Sequence, residues 1–173
     1  MVASAMILMV LIALTMATKS SLKGNQDIHL RASALFLAQE GIEAVRGIRD
    51  NNWSSNSGAG WKALQWSGNT LVEVDLTNPS CYKIEFKEII KSFGLTAITC
   101  PGNVGDTVAQ ESVQIEIDNP DTFYRYIKIE SAGGLGDSIA NDDNALKATA
   151  HVTYGDGKQV SVSELLTDWL PKY

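Results

Sequence analysis

Two cysteines, two histidines and one acidic loop are the residues whose types and spacing could do chemistry in this 173-residue chain. Cys81 and Cys100 would close a short loop if bonded, as an oxidising, extracytoplasmic location would favour. Two reduced, half-buried thiols are the alternative, and spacing does not decide between them because a disulfide requires a particular geometry. His29 and His151 are distant in the chain and no Cys-x-x-Cys pair occurs, so a closed four-ligand zinc site has no basis and no metal site is expected. Gly133 to Asn144 gathers Asp137, Asn141, Asp142, Asp143 and Asn144, hard oxygen ligands of the kind calcium takes, but not at the spacing of an EF-hand loop. A solvated polar loop is the expectation there. Trp53, Trp61 and Trp66 surround a glycine-rich loop from Ser54 to Gly60, a set better suited to capping a core than to binding a sugar.

Catalytic constellations are missing. The chain has no G-x-S-x-G elbow, no phosphate-binding glycine loop ahead of a helix, and no His/Asp pair beside a candidate nucleophile. His151 shares its strand face with Lys147 and Thr149, which predicts a solvent-facing side chain and not a general base. The expectation is a protein that is not an enzyme and needs no cofactor. Net charge is −6, and it is uneven: five Lys/Arg and four Asp/Glu through Trp53, then nine against sixteen. No basic run or stripe appears, so no nucleic-acid partner is expected.

The elements that would position these residues begin with Met1 to Asp50, which reads as one helix of two characters. Met1 to Thr18 carries no charge and includes Val2, Ile7, Leu8, Val10, Leu11, Ile12 and Leu14. It suits a membrane span, although slightly short of the ~20 apolar residues needed. A cleaved signal would carry a charged region ahead of the apolar run, and none stands there. From Lys19 the rhythm turns amphipathic, with Ile28, Leu35, Ile42 and Ala38, Val45 recurring at helical spacing. At ~1.5 Å per residue such a rod is on the order of 75 Å long, more than one compact domain needs.

Beyond it the period switches to two. Val72 to Leu76, Tyr82 to Phe86, Val113 to Ile117, Thr122 to Ser131, Leu146 to Tyr154 and Val160 to Val162 alternate as half-buried strands, with a hairpin signal at Gly155-Asp156-Gly157. One long helix followed by antiparallel strands indicates an α+β fold in which the sheet covers the helix. The helix side of that core is expected at Ile28, Leu35, Phe36, Ile42 and Val45. Trp169, beyond Leu165 and Leu166, is expected to close the core from the C-terminal end.

Several stretches together resemble the type IV pilins and the pseudopilins of type II secretion and competence systems. Val2-Ala3-Ser4-Ala5-Met6-Ile7-Leu8 is similar to the interior of a prepilin hydrophobic helix. Ala34-Leu35-Phe36-Leu37-Ala38-Gln39-Glu40-Gly41-Ile42-Glu43, followed by Val45-Arg46 and Ile48-Arg49-Asp50-Asn51-Asn52-Trp53, resembles the helix end of minor-pilin-like sequences. Tyr124-Arg125-Tyr126-Ile127-Lys128-Ile129 resembles their central strand, and Val160 to Trp169 their closing strand.

The resemblance implies a pilin-like fold: residues 1–25 as the transmembrane and filament-core half of the helix, and residues 26–173 as a head that includes the amphipathic half. It implies a structural subunit, a minor pilin or pseudopilin, whose partners are other such subunits and, before assembly, the membrane. Its implied location is the bacterial membrane, single-pass, and then a cell-surface filament with the head extracytoplasmic. Members of the family begin with a basic leader, a glycine cleavage point and a phenylalanine-led segment bearing a glutamate; none of these precedes Val2, so the sequence is expected to start inside that helix. As it stands, Lys19 and Lys23 follow the apolar run, and the positive-inside rule would leave the head in the cytoplasm; a basic leader would reverse this. A membrane-anchored, adhesin-like binding module that does not polymerise is the alternative.

Overall fold

The computed structural model describes residues 2–54, 60, 62–74, 80–88, 92–100, 111–114, 122–132 and 145–167. It divides into two compact units, Met1–Ser33 and Ala34–Tyr173. Helix α1, Val2–Ser54, extends a turn past the end expected at Asp50. No proline occurs before Pro79, so nothing along this stretch removes a helical N–H or collides with the preceding turn. In the first unit every described side chain is exposed or half-exposed.

In the second unit burial begins at Ala34 and recurs at Leu37, Ala38, Gly41, Ile42, Val45 and Ile48, the three-and-four rhythm of a helix with one covered face. Ile42 and Val45 lie on that face. Ile28, Leu35 and Phe36 do not, being 68%, 44% and 70% exposed. At about 100° per residue the buried positions centre on Ala34, Gly41 and Val45; Leu35 and Ile28 fall on the flank, and Phe36 on the far side. Seven-residue spacing drifts by about 20° per repeat on a straight helix. A line from Ile28 through Leu35 to Ile42 therefore wanders off the covered face as it is followed backwards.

The sheet contains β1 Gln65–Ser67, β2 Thr70–Val72, β3 Ser80–Lys87, β4 Ser92–Ile98, β5 Glu111–Gln114, β6 Thr122–Ser131, β7 Ala145–Tyr154 and β8 Lys158–Thr167. Five of these, in the order β4-β3-β6-β7-β8, form a continuous antiparallel sheet. The fold is α+β, one long N-terminal helix packed on an antiparallel sheet. The β1–β2 hairpin turns at Gly68 with φ of 61° and joins β4 by one parallel bridge, Gln65 to Leu95, while β5 pairs with the outer stretch of β6.

Register puts Ile127 opposite Ala150 and Ala150 opposite Val162, with Ile129, Ala148 and Glu164 in the next row. Tyr82, Leu95, Ile127, Ile129, Ala148, Ala150, Val152 and Leu166 are buried on the helix side. The β7–β8 hairpin turns through Gly155 and Gly157, both at positive φ, as their sequence suggested. Three strands depart from expectation, among them the short β1, which was not foreseen. β4 was not foreseen, because Gly94 interrupts its alternation and Phe93 is exposed. The ladder of β2 stops at Val72, and buried Val74 follows beyond the end of the strand. Residues 115–117, the turn at Pro120 and Trp169 lie outside the described residues.

The end of α1 is tied to the sheet by Asn52, whose buried Nδ2 donates to the Ala63 carbonyl at 2.6 Å. From there Val74 N–H donates to the Lys62 carbonyl and Leu95 N–H to the Leu64 carbonyl, which attaches the connection to β4. Gly41 marks the closest approach of helix to sheet: a Cβ there would lie 3.1 Å from Ile127 Cδ1, 3.2 Å from Arg125 Cδ and 3.4 Å from Ala150 Cβ. A Cβ at Gly47 would meet nothing within 4 Å. Gly41→Leu is therefore expected to destabilise the head by about 3 kcal/mol through overpacking. Gly47→Ala should stabilise it by roughly 0.5–1 kcal/mol through helix propensity. Chemical denaturation of the two variants measures both, and equal effects would show that Gly41 is not a packing position.

Candidate functional site

The apolar start of α1 is the most distinctive surface of the chain. α1 begins at Val2, and Ile7, Leu8, Val10, Leu11, Ile12 and Leu14 are all between 46 and 64% exposed. Thr15 and Thr18 turn their hydroxyls back onto the carbonyls of Ile12 and Thr15, so both of these hydroxyls are satisfied within the helix. This is one N-terminal helix long and apolar enough to cross a membrane. Uncovered in water, a run of this size is the kind that marks a lipid or protein interaction surface.

In the head, two charged residues stand at positions whose strand parity calls for apolar side chains. Arg125 shares the inward face of β6 with Phe123, Ile127 and Ile129, and is itself buried. Its Nη1 donates to the Leu37 carbonyl of α1 at 3.0 Å and lies 3.6 Å from Glu40 Oε1. Glu164 stands on the inward face of β8 and accepts from Arg46 Nε and Nη2 of α1, with Nη2 contacts of 2.7 Å to both oxygens. Glu43 adds a fourth contact, to Nη1 of the same guanidinium, at 2.8 Å. The hydrogen bonds and charge of Glu164 hold the Arg46 guanidinium above its ordinary pKa. A forked cation on a carboxylate fixes geometry as well as supplying attraction. Both residues were legible as charges breaking an apolar alternation, Phe123-x-Arg125-x-Ile127 and Val162-x-Glu164-x-Leu166.

Cys81 and Cys100 form a disulfide with Cα atoms 5.0 Å apart. Cys81 is buried and lies beside Ile98 across the β3–β4 ladder, so the bond fastens the open end of that hairpin just past the last residue of β4. The outward face of the sheet carries a second grouping. Tyr126 on β6 and His151 on β7 are directly paired, and their rings stack at 4.8 Å between centroids. Gln159 of β8 bridges them, with Nε2 3.3 Å from His151 Nδ1 and 3.5 Å from the Tyr126 hydroxyl. Burial chiefly, then the nearby Lys128 and Lys147, hold the His151 pKa below its ordinary value, with Glu130 acting in the opposite sense. His151 is thus half-buried in an aromatic stack, where its neighbours Lys147 and Thr149 had suggested a solvent-facing side chain.

Among the described residues no three His, Cys, Asp or Glu side chains are grouped to hold a metal ion. The acidic loop at 133–144 and Trp61 lie outside the described residues. The chain matches no family model, no curated protein and no solved structure.

Two outcomes follow from the disulfide and the ring stack. Alkylation of the intact, unreduced head should add no mass, and reduction first should expose two thiols; labelling before reduction would contradict the bond. Because folding depresses the His151 pKa, its contribution to stability is full above about pH 6.5 and is lost as pH falls from there toward the folded value. Between pH 7 and pH 5.5 the parent chain should therefore lose more stability than His151→Gln. Parallel slopes in thermal melts would show that the ring stack does not distinguish the two protonation states.

Proposed function

We propose that this chain is a structural subunit, of the minor pilin or pseudopilin kind, in a type IV pilus-like or type II secretion filament. It has no catalytic role and assembles through the first half of α1. The observation that carries this reading is the exposed apolar run from Met6 to Met16 on the same helix whose second half forms one wall of the head core. Among the described residues of the first half, the large apolar side chains are exposed. Lipid before assembly and like helices afterwards are the two environments that match its surface, the first through the hydrophobic effect and the second through close apolar packing. The acidic head then faces outward, and the disulfide suits a location outside the reducing cytoplasm.

The direct test is recovery of the chain in sedimentable surface fibres from cells that carry a prepilin peptidase and an assembly ATPase. A chain found only in the membrane, with its head engaging a surface ligand and no fibre, would favour the membrane-anchored binding module. A pair of truncations tests the physical basis. A fragment starting at Gln26 should be soluble, monomeric and cooperatively folded, whereas the complete chain should need detergent. Removing residues 1–50 should unfold the head, because the sheet would lose the face that covers it. A cooperative, monomeric fragment without the helix would show that the sheet holds its own core.

A further inference from the structure

On the outward face of the sheet, Thr149 stands at the centre of a cross set by strand register. Lys128 of β6 is opposite it on one side and Ser163 of β8 on the other, while Lys147 and His151 flank it along β7. Thr149 is buried, and its hydroxyl lies 3.0 Å from that of Ser163, which is exposed, as is Ser161 opposite His151. Directly opposed neighbours have Cβ atoms about 5 Å apart and diagonal ones about 7–8 Å apart, so the long side chains of Lys128 and Lys147 can bring both ammonium groups over the two hydroxyls. Glu130, opposite Lys147, directs its carboxylate to Lys128 at 2.6 Å. Lys147 makes no hydrogen bond or ion pair among the described residues. The result is an excess of cation on a chain that carries nine Lys/Arg against sixteen Asp/Glu beyond Trp53, and an anion is its complement. The ring stack narrows the choice. Tyr126 and His151 have centroids 4.8 Å apart, the spacing of neighbouring strands, so the rings stand side by side with their edges outward. A stacked nucleobase needs a ring lying open on the surface, and this pair does not offer one.

We propose that this face of the head binds a sugar phosphate, with the phosphoryl group seated over Thr149 and Ser163. Lys128 and Lys147 hold the anion from two sides, as charge-assisted donors. Thr149 donates to Ser163, which leaves the Ser163 proton for a phosphoryl oxygen. The sugar lies toward Ser161 and Gln159, both exposed; Gln159 turns Nε2 to His151 and Tyr126 and keeps Oε1 to accept from a sugar hydroxyl. Two lysines on an open surface hold a free phosphate weakly, because it keeps most of its water there, so the bonds to the sugar are what make the seat selective. The site lies wholly within the head and stands whether or not the chain assembles. His151 reports on it. The groups around His151 are Tyr124, Tyr126, Lys128 and Glu130 of β6 and Lys147 of β7, with Lys83 of β3 in the strand beyond; β8 presents Gln159, Ser161, Ser163 and Leu165, none of which titrates. Lys128 and Lys147 oppose protonation of His151, so an anion bound between them raises its pKa.

Full-length chain in a neutral detergent, isotopically labelled at histidine and titrated with glucose 6-phosphate, should show saturating shifts of the His151 ring signals, assigned with His151→Gln, and a raised His151 titration midpoint. The His29 signals should stay in place. Lys147→Gln should weaken binding about tenfold, the loss of one charge-assisted contact, while Lys147→Arg and Lys158→Gln, the latter of opposite parity on β8, should stay within about threefold of the parent. Glu130→Gln removes the carboxylate beside both lysines and should tighten binding about threefold, a gain that misfolding cannot produce. Glucose should not compete, and inorganic phosphate should bind about tenfold more weakly than the ester. Equal affinity for inorganic phosphate, tighter binding of an oligothymidylate, binding undiminished by Lys147→Gln, or His151 signals that do not move each overturn the proposal.

Discussion

The close approach of α1 to the sheet at Gly41 is the constraint on which the head depends. With Ala34 and Ala38 beside it, the helix presents a shallow, smooth face, and the sheet supplies the bulk through Tyr82, Leu95, Ile127, Ile129 and Leu166. A smooth face allows short separation but carries little shape to fix the position of the helix along the sheet. Polar contacts supply that information. Arg125 reaches the Leu37 carbonyl, Arg46 forks onto Glu164 and Asn52 holds Ala63, three attachments spaced along the helix segment of the head. Each is specific to one register, because a slide of one turn would leave a buried guanidinium or amide facing the wrong atom.

This division of labour explains what could be read in the sequence. Strand alternation from Thr122 to Ser131 and from Leu146 to Tyr154 was plain, since residues such as Ile127, Ile129, Ala150 and Val152 are apolar on one parity and their neighbours polar on the other. The glycine pair at Gly155 and Gly157 marked the turn between β7 and β8. The long helix was legible from the absence of proline and the switch of period. The covered side of the helix was legible only in part: Ile42 and Val45 lie on it beside Ala34, Ala38 and Gly41, whereas the large Leu35 and Phe36 do not. Hydrophobic size is a poor guide where two backbones come close, since the best residue there is the smallest one.

β4 was missed for a related reason. Gly94 contributes no side chain to an alternation, and Phe93 is turned to the exposed side, so the strand is held by its ladder with β3 and by Leu95 more than by a hydrophobic pattern. The Tyr126, His151 and Gln159 grouping arises from cross-strand register, which brings together residues 25 and 8 positions apart; no local motif encodes such a neighbourhood.

The inward placement of Glu164 has a consequence for β8, whose ladder partner among the described residues is β7 alone. A long terminal strand exposes backbone groups that can recruit a stray strand, and a charge on its inner face is one of the ways natural sheets discourage this. Here the charge is tolerable in a single alignment, the one in which Arg46 reaches it. A shift of β8 by one residue would move Glu164 to the outer face and bring Ser163 beneath the helix, abandoning that guanidinium. The same ion pair thus acts as a proofreading contact, rejecting misaligned closing strands and leaving the exposed rim of the sheet unattractive to neighbouring strands.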